Sequence, residues 1–209
     1  MLCKLIDRDG QAAMLLRIVK KKEEGYLFDL QNRFDSKYAL KTGNNPIFFT
    51  TYNMTRRSAQ YRLEELLRKA LVENLGSKEG QRGQDRICYR ISELGKKALH
   101  EYLMERFSRS DTHLGQALLF DCVQCLWDAD REMLLDILTV RMAALKGALN
   151  VQPSLFPEDD YANKAMLEVH SSNCRKELEQ IELLRERASI LELKEKWKPD
   201  GSVHEPMGE

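Results

Sequence analysis

Residues 55–62 combine planar cationic, amide and hydroxyl side chains of the kinds that contact nucleic acid. Two adjacent arginines, Arg56 and Arg57, come first, and the guanidinium fork matches the two acceptors on the edge of guanine. Gln60 can pair with adenine in a similar way. The other members of the set can hydrogen-bond phosphate or stack on sugar; they are Thr55, Ser58, Tyr61 and Arg62. These types predict a DNA-contacting surface, whereas the plainer alternative is a solvated basic helix face.

Residues 54–99 predict the elements that would position this surface. Residues 54–73 read as a basic amphipathic helix that passes into a strand, with Leu63, Leu66 and Leu67 toward the core and Asn53 or Thr55 as the cap. Strands are expected at about 70–75 and 87–91, and a helix capped by Ser92 at about 93–107. A helix followed by a basic hairpin is what a winged helix-turn-helix uses to contact a DNA groove and the backbone.

The loop over residues 76–86 adds positive charge to the hairpin and contains three glycines. Its cationic residues suit contact with phosphate or the minor groove. The alternative is a hairpin with no role in binding. The predicted wing contacts are Lys78, Arg82 and Arg86.

The remaining segments are mostly predicted to be helical. Helices are expected over 11–23, 26–34, 113–127, 130–149 and 159–196, with a proline-containing loop over 151–161. In the last helix, apolar residues recur at spacings of three and four, which indicates a homodimer interface. That interface is predicted to contain Leu167, Cys174, Leu178, Ile181, Leu184, Ala188 and Leu191. Whether this helix pairs within or between subunits is left open by the pattern.

The net charge of zero hides two halves of opposite sign. Residues 1–107 contain 21 Lys and Arg against 14 Asp and Glu, whereas residues 108–209 contain 12 against 19. This asymmetry favours phosphate as the partner of the first half. We therefore expect a DNA-binding domain over 1–107, a helical dimerisation domain over 108–197 and a flexible tail over 198–209.

Several classes of protein are not expected from this composition. No apolar run approaches a membrane span, and the charged N-terminus is unlike a signal peptide, so a cytoplasmic protein is expected. Five cysteines at uneven spacings favour reduced thiols. The sequence has no phosphate-binding glycine loop of known form and no His-Glu-x-x-His, so no enzyme is expected.

Two further groups have a functional and a plain interpretation. Cys122, Cys125, His170 and Cys174 could hold zinc from two packed helices. In an apolar helical stripe, however, cysteine is more often a small buried side chain, so no metal or cofactor is expected. Phe120 and Trp127 are candidates to line an effector pocket, although aromatic residues at helical spacing are usually core.

Two motifs resemble those of PadR-type transcriptional regulators. YRISELGKKAL (89–99) is similar to the Tyr-x-[Ile/Leu]-[Ser/Thr]-x-x-Gly motif that ends the wing in that family, and EEGYLFDL (23–30) is similar to its Gly-Tyr motif. Leu63, Leu66, Leu71 and Val72 match the leucines and strand entry of its recognition helix. Ala70 stands where the family usually has glycine, and Gln60 where it usually has tyrosine.

The resemblance implies a mainly α fold: an N-terminal winged helix-turn-helix with a two-stranded wing, plus a C-terminal helical dimerisation region. It also implies a homodimeric regulator of double-stranded DNA, with repression that a small-molecule effector relieves. A MarR-type ligand sensor shares a similar wing ending and is less favoured, because the long helices here lie C-terminally. The main alternative is a winged-helix module that binds proteins through its acidic half and does not bind DNA.

Overall fold

The helices dominate a computed structural model of the chain, which describes residues 2–20, 25–26, 55–79, 85–109, 116–151, 154, 156–157 and 159–196. A 3-10 helix spans Leu2–Leu5. The α-helices are α1 (Asp9–Lys20), α2 (Arg56–Arg68), α3 (Glu93–Phe107), α4 (Gln116–Leu126), α5 (Arg131–Leu149) and α6 (Tyr161–Lys196). The strands are β1 (Gly25–Tyr26), β2 (Val72–Glu79) and β3 (Asp85–Ile91). No described helix is long and apolar enough to cross a membrane.

Helix α2 has well-defined signals at both ends. Thr55 caps its start, because the hydroxyl accepts from the backbone N–H of Ser58 at 3.2 Å. At its end, Ala70 N–H donates to Leu67 and Leu71 N–H donates to Leu66, which is the hydrogen-bond pattern of a Schellman motif. Ala70 lies in the left-handed region with φ 55°, where glycine is normally preferred. A glycine at this position would adopt the same conformation without the strain that a Cβ brings.

The antiparallel sheet has the order β1-β3-β2. The β2–β3 pair is the wing, with Val72 opposite Ile91 at its base. The ladder shifts between Asn74 and Ser77, where Gly76 has φ +88° and donates to Asn74 Oδ1 at 2.8 Å. Such a bulge increases the local twist of a hairpin. The wing thus begins in the core and bends along its length.

Helix α3 begins against the base of the wing. Ser92 Oγ accepts from Gly95 N–H at 2.9 Å, and Ser92 N–H donates to the Leu71 carbonyl at 3.0 Å. A Cβ on Gly95 would overlap the carbonyl oxygen of Leu71 and lie 2.9 Å from Cγ1 of Ile91. Only glycine therefore permits this approach of α3 to the strand entry. The close packing fixes the wing relative to the rest of the first half.

Helix α1 links the two halves. It is buried from Gly10 to Ile18 and contacts α2, α3, α4 and β3. Arg17 and Asp121 of α4 form a buried ion pair at 3.4 Å. Most of the buried apolar residues of both halves belong to one cluster. The division into domains at residue 107 stays a prediction.

The helical second half is held together by α5 and α6. Arg141 of α5 is buried and donates to both carboxylate oxygens of Glu177 of α6, at 2.7 and 3.0 Å. Arg141 also donates to the backbone carbonyl of Arg109, just after α3. A bidentate arginine–carboxylate pair fixes orientation as well as distance. This pair therefore sets how α6 lies on α5.

The mainly α winged-helix fold with a two-stranded wing is confirmed, and most predicted elements are found within a few residues of their expected limits. The helix predicted over 26–34 is wrong at its first residue, because Tyr26 pairs with Cys88 in the sheet. Residues 27–34 lie outside the described part of the chain. The wing strands are longer than expected and reach Glu79 and Asp85.

Candidate nucleic-acid interface

The exposed face of α2 forms the centre of the candidate interface. Five exposed residues share this face at spacings of three and four, and we call them the α2 face. Leu63 and Leu66 on the opposite side are buried, so the core fixes which side chains meet solvent. The α2 face contains Arg57, Gln60, Tyr61, Glu64 and Arg68.

The first turn of α2 presents two uncommitted cations. Arg56 and Arg57 are both exposed. Neither guanidinium has a hydrogen-bond or ion-pair partner among the described residues. The positive end of the helix dipole lies at the same turn, since Thr55 is its cap. This turn is therefore ready to bind an anion without breaking an existing contact.

The middle of the α2 face is organised by two carboxylates. Gln60 Nε2 donates to Glu64 Oε1 at 3.1 Å, and the Tyr61 hydroxyl donates to Glu65 Oε1 at 3.1 Å. The other oxygen of Glu65 accepts from Nε2 of the fully buried Gln11 at 2.9 Å. Tyr61 is thus connected to α1, and its hydroxyl proton is already used within the protein.

Two predicted contacts lie away from the α2 face. Arg62 is half-buried and donates from Nη1 to Ser58 Oγ at 2.6 Å. Its guanidinium covers the start of α1, where a Cβ on Gly10 would lie 2.7 Å from Arg62 Nε. Arg62 and Ser58 therefore help to join α2 to α1 instead of lying on the face with Arg57.

The wing brings two of its three predicted cations to one level. Lys78 of β2 is the direct ladder partner of Arg86 of β3. Arg82 lies in residues 80–84, outside the described part. Nearer the base of the wing, Arg90 is exposed but pairs with Glu73 at 2.8 Å. Lys78 and Arg86 thus give the outer hairpin two cationic positions, whereas the charge of Arg90 is already balanced.

The predicted dimer stripe on α6 is largely covered within the chain. Cys174, Ile181 and Ala188 are buried, on a helix whose main neighbour is α5. The half-buried members are Leu167, Leu178 and Leu184. The side chain of Leu191 is not among those that the structure describes. These buried members are covered within one chain, and the role of the stripe as a dimer interface stays a prediction.

A second apolar line follows the opposite side of α6. Met166, Val169, Leu183 and Ile190 are 66%, 55%, 48% and 43% exposed. Successive members are three, fourteen and seven residues apart, and these spacings keep them on one side of a helix. We call these four residues the outer α6 line. Tyr161, at the first residue of α6, is also exposed.

The four candidate zinc ligands do not form a site. No group of three or more His, Cys, Asp or Glu side chains is arranged for a metal in the described residues, which include all four. His170 Nε2 lies 3.5 Å from Cys174 Sγ, both on α6. Burial raises the pKa of Cys125 to about 12 and that of Cys122 well above its usual value. These two thiols remain protonated and belong to the core.

Three residues that hold the side chains of the interface in place, Glu64, Glu65 and Gln11, were not predicted from the sequence. Glu64 and Glu65 carry no sequence signal of DNA contact, because a carboxylate repels phosphate. Gln11 carried a usable signal, since it is a polar residue directly before the apolar run Ala12–Leu16 of α1. Its contact with Glu65 joins positions 54 residues apart and could not be read from local spacing.

Comparisons with known proteins add little to this geometry. No family model and no curated protein matches the chain. Among solved structures, the chain is similar to a Bacillus subtilis PadR crystal structure in complex with operator DNA, at 13% identity and a TM-score of 0.33. The match covers 86% of this chain and 98% of that chain.

Proposed function

We propose that this protein is a PadR-type transcriptional regulator that binds double-stranded DNA as a homodimer, acting in the cytoplasm as a repressor. In this proposal, α2 enters the major groove and the wing contacts the backbone. The sequence motifs at 23–30 and 89–99 support the family, and the winged-helix arrangement supports the docking mode. A small-molecule effector belongs to the proposal through the family resemblance alone.

The observation that carries the proposal is the exposed arginine pair at the start of α2, which has no partner among the residues that the structure describes. By contrast, Glu73 balances the charge of the exposed Arg90 in the wing. Here the described residues leave both guanidinium groups in solvent, at the helix end that favours anions. Guanidinium groups in that place suit guanine edges and phosphates.

The outer α6 line supports the homodimer. A monomer that exposes four large apolar side chains along one helix gains free energy by covering them. Pairing two copies through this line would present two α2 helices to one duplex. Two-fold recognition then requires half-sites about 34 Å apart and a palindromic operator.

The direct test replaces Arg56 and Arg57 with alanine together. Fluorescence anisotropy with a labelled duplex pool of random sequence measures the change in affinity. We expect a loss of several kcal/mol in binding free energy, because each guanidinium contact to a base or phosphate contributes about 1–3 kcal/mol. Both residues are exposed and lie at the positive end of the helix dipole, so the free energy of unfolding should stay the same or rise slightly.

The matched control is Arg175→Ala, which removes an exposed cation from α6. It should leave DNA affinity unchanged. Equal affinity of the wild type and the double variant would contradict the proposal and favour the winged-helix module that binds proteins instead. A wild-type protein that fails to bind any duplex would do the same.

The dimer has its own test. Aspartate at both Leu183 and Ile190 places charge on the outer α6 line and should convert a dimer into a monomer in sedimentation equilibrium. Val151→Asp is the control, since Val151 is 41% exposed but lies outside α6. A wild-type monomer, or a double variant that stays dimeric, would contradict this part of the proposal.

A further inference from the structure

Glu64 occupies the middle of the α2 face and is exposed. Its carboxylate accepts from Gln60 Nε2 at 3.1 Å, one helical turn away. Among the residues that the structure describes, no cation lies within ion-pair distance of it. Burial is the main cause that raises the pKa of Tyr89 in β3, and the negative charge of Glu64 raises it further. A carboxylate here weakens phosphate binding, so Glu64 does not serve the affinity of α2 for the DNA backbone.

Glu64 sets the orientation of the Gln60 amide. An ionised carboxylate can only accept hydrogen bonds, so it must meet the amide nitrogen of Gln60 and not the oxygen. The nitrogen carries two hydrogens, and Glu64 takes one of them. What remains to Gln60 is one hydrogen and one acceptor oxygen. Gln60 therefore cannot present an edge with two donor hydrogens, and what it can offer a base is one donor together with one acceptor.

A mixed edge distinguishes the two purines. Adenine shows an acceptor, N7, beside a donor, the N6 amino group, in the major groove. Guanine shows two acceptors, N7 and O6, and the second would face the oxygen of Gln60. The amide held by Glu64 is thus complementary to adenine and opposed to guanine.

We propose that Glu64 is a positioning residue for base recognition, which holds the Gln60 amide so that it selects adenine against guanine. This inference rests on the proposed binding of α2 in the major groove. It assigns the base class that Gln60 recognises and the residue that enforces it. Arg57, on the same face, then supplies affinity without determining this preference.

The test is selection of bound sequences from a random duplex pool, followed by sequencing, with the wild type and three variants. Gln60→Ala identifies the operator position that Gln60 contacts, because the preference is lost there. That position should be adenine in the wild type. Glu64→Gln has the same size, but its amide can donate as well as accept, so the Gln60 amide can turn. The adenine-to-guanine ratio at that position should fall about 10-fold.

In Glu64→Gln, the affinity for DNA should rise while the adenine-to-guanine ratio falls. Glu64→Gln removes a negative charge from the α2 face, so its affinity for a random-sequence duplex should rise. Glu93→Gln is the matched control, because it removes an equal charge from an exposed residue that pairs with Lys96 on α3. It should leave the base ratio unchanged. A purely structural role for Glu64 would lower stability and would not move the ratio.

Three results would overturn the inference. The position identified by Gln60→Ala could prefer a base other than adenine, or Glu64→Gln could leave the ratio unchanged. Alternatively, Glu64→Gln could remove a cytosine preference at a neighbouring position, which would mean that Glu64 itself contacts a base. In each case the wild type still selects a sequence, so the proposed function stands. Failure of the wild type to select any sequence refutes both.

Discussion

Gly95 allows the contact between wing and α3 to be tested by adding one methyl group. In Gly95→Ala the new Cβ would overlap the Leu71 carbonyl oxygen and crowd the Ile91 side chain at 2.9 Å. The same carbonyl accepts from Ser92 N–H at 3.0 Å, so α3 cannot move away without weakening that hydrogen bond. The methyl group thus meets backbone on one side and core on the other.

The expected magnitude follows from three contributions. Overpacking of this kind costs about 1–3 kcal/mol, and a weakened hydrogen bond adds about 1 kcal/mol. The better helix propensity of alanine returns about 1 kcal/mol. We therefore expect Gly95→Ala to lower the free energy of unfolding by roughly 1–3 kcal/mol.

Urea unfolding followed by circular dichroism measures this change, and Gly147→Ala is the matched control. Gly147 is also in a helix, but a Cβ there would meet nothing within 4 Å. Its replacement should raise the free energy of unfolding by about 0.5–1 kcal/mol, from helix propensity alone. If Gly95→Ala were as stable as Gly147→Ala, the close approach of α3 to the strand entry would be refuted.

Three other variants or treatments test the fold. Ala70→Gly should stabilise the protein in urea unfolding by about 0.5–1 kcal/mol, because it relieves the left-handed backbone at the end of α2; a loss of stability would contradict the assigned φ. Asp121→Asn should destabilise it by about 3–5 kcal/mol, since Arg17 would keep a buried charge without its carboxylate; near-neutral stability would show that the pair is solvated. Maleimide should label almost none of the five cysteines in native protein and all of them in urea, because all five are buried; rapid native labelling would argue for a reactive thiol.

The sequence predicted those elements whose signals are local. Ser92 and the apolar pattern after it gave α3 its limits, and Thr55 was one of two residues named as the cap of α2. The strand at Gly25–Tyr26 was missed because two residues are too few to show a periodic pattern. This strand is defined by its pairing with β3, which local sequence does not reveal. Local signals thus defined the helices better than the sheet.

The same limit explains what could be predicted of the candidate site. Arg56 and Arg57 could be proposed from residue type and position, because arginines at the start of a helix are expected to be exposed whatever the core contains. The partner of a buried stripe is different: the spacing around Ile181 showed that this face of α6 is covered but not that α5 covers it. Likewise, the role of Glu65 depends on Gln11, which only the folded chain brings near.

The salt dependence of DNA binding tests the central claim most directly. Anisotropy of a labelled random-sequence duplex should be measured with the full chain at 50 and 200 mM NaCl. A homodimer with two first turns and two wings on one duplex makes about 6–10 phosphate contacts, so affinity should fall about a thousandfold or more between these concentrations. No binding at 50 mM, or an affinity that does not change with salt, would contradict the account.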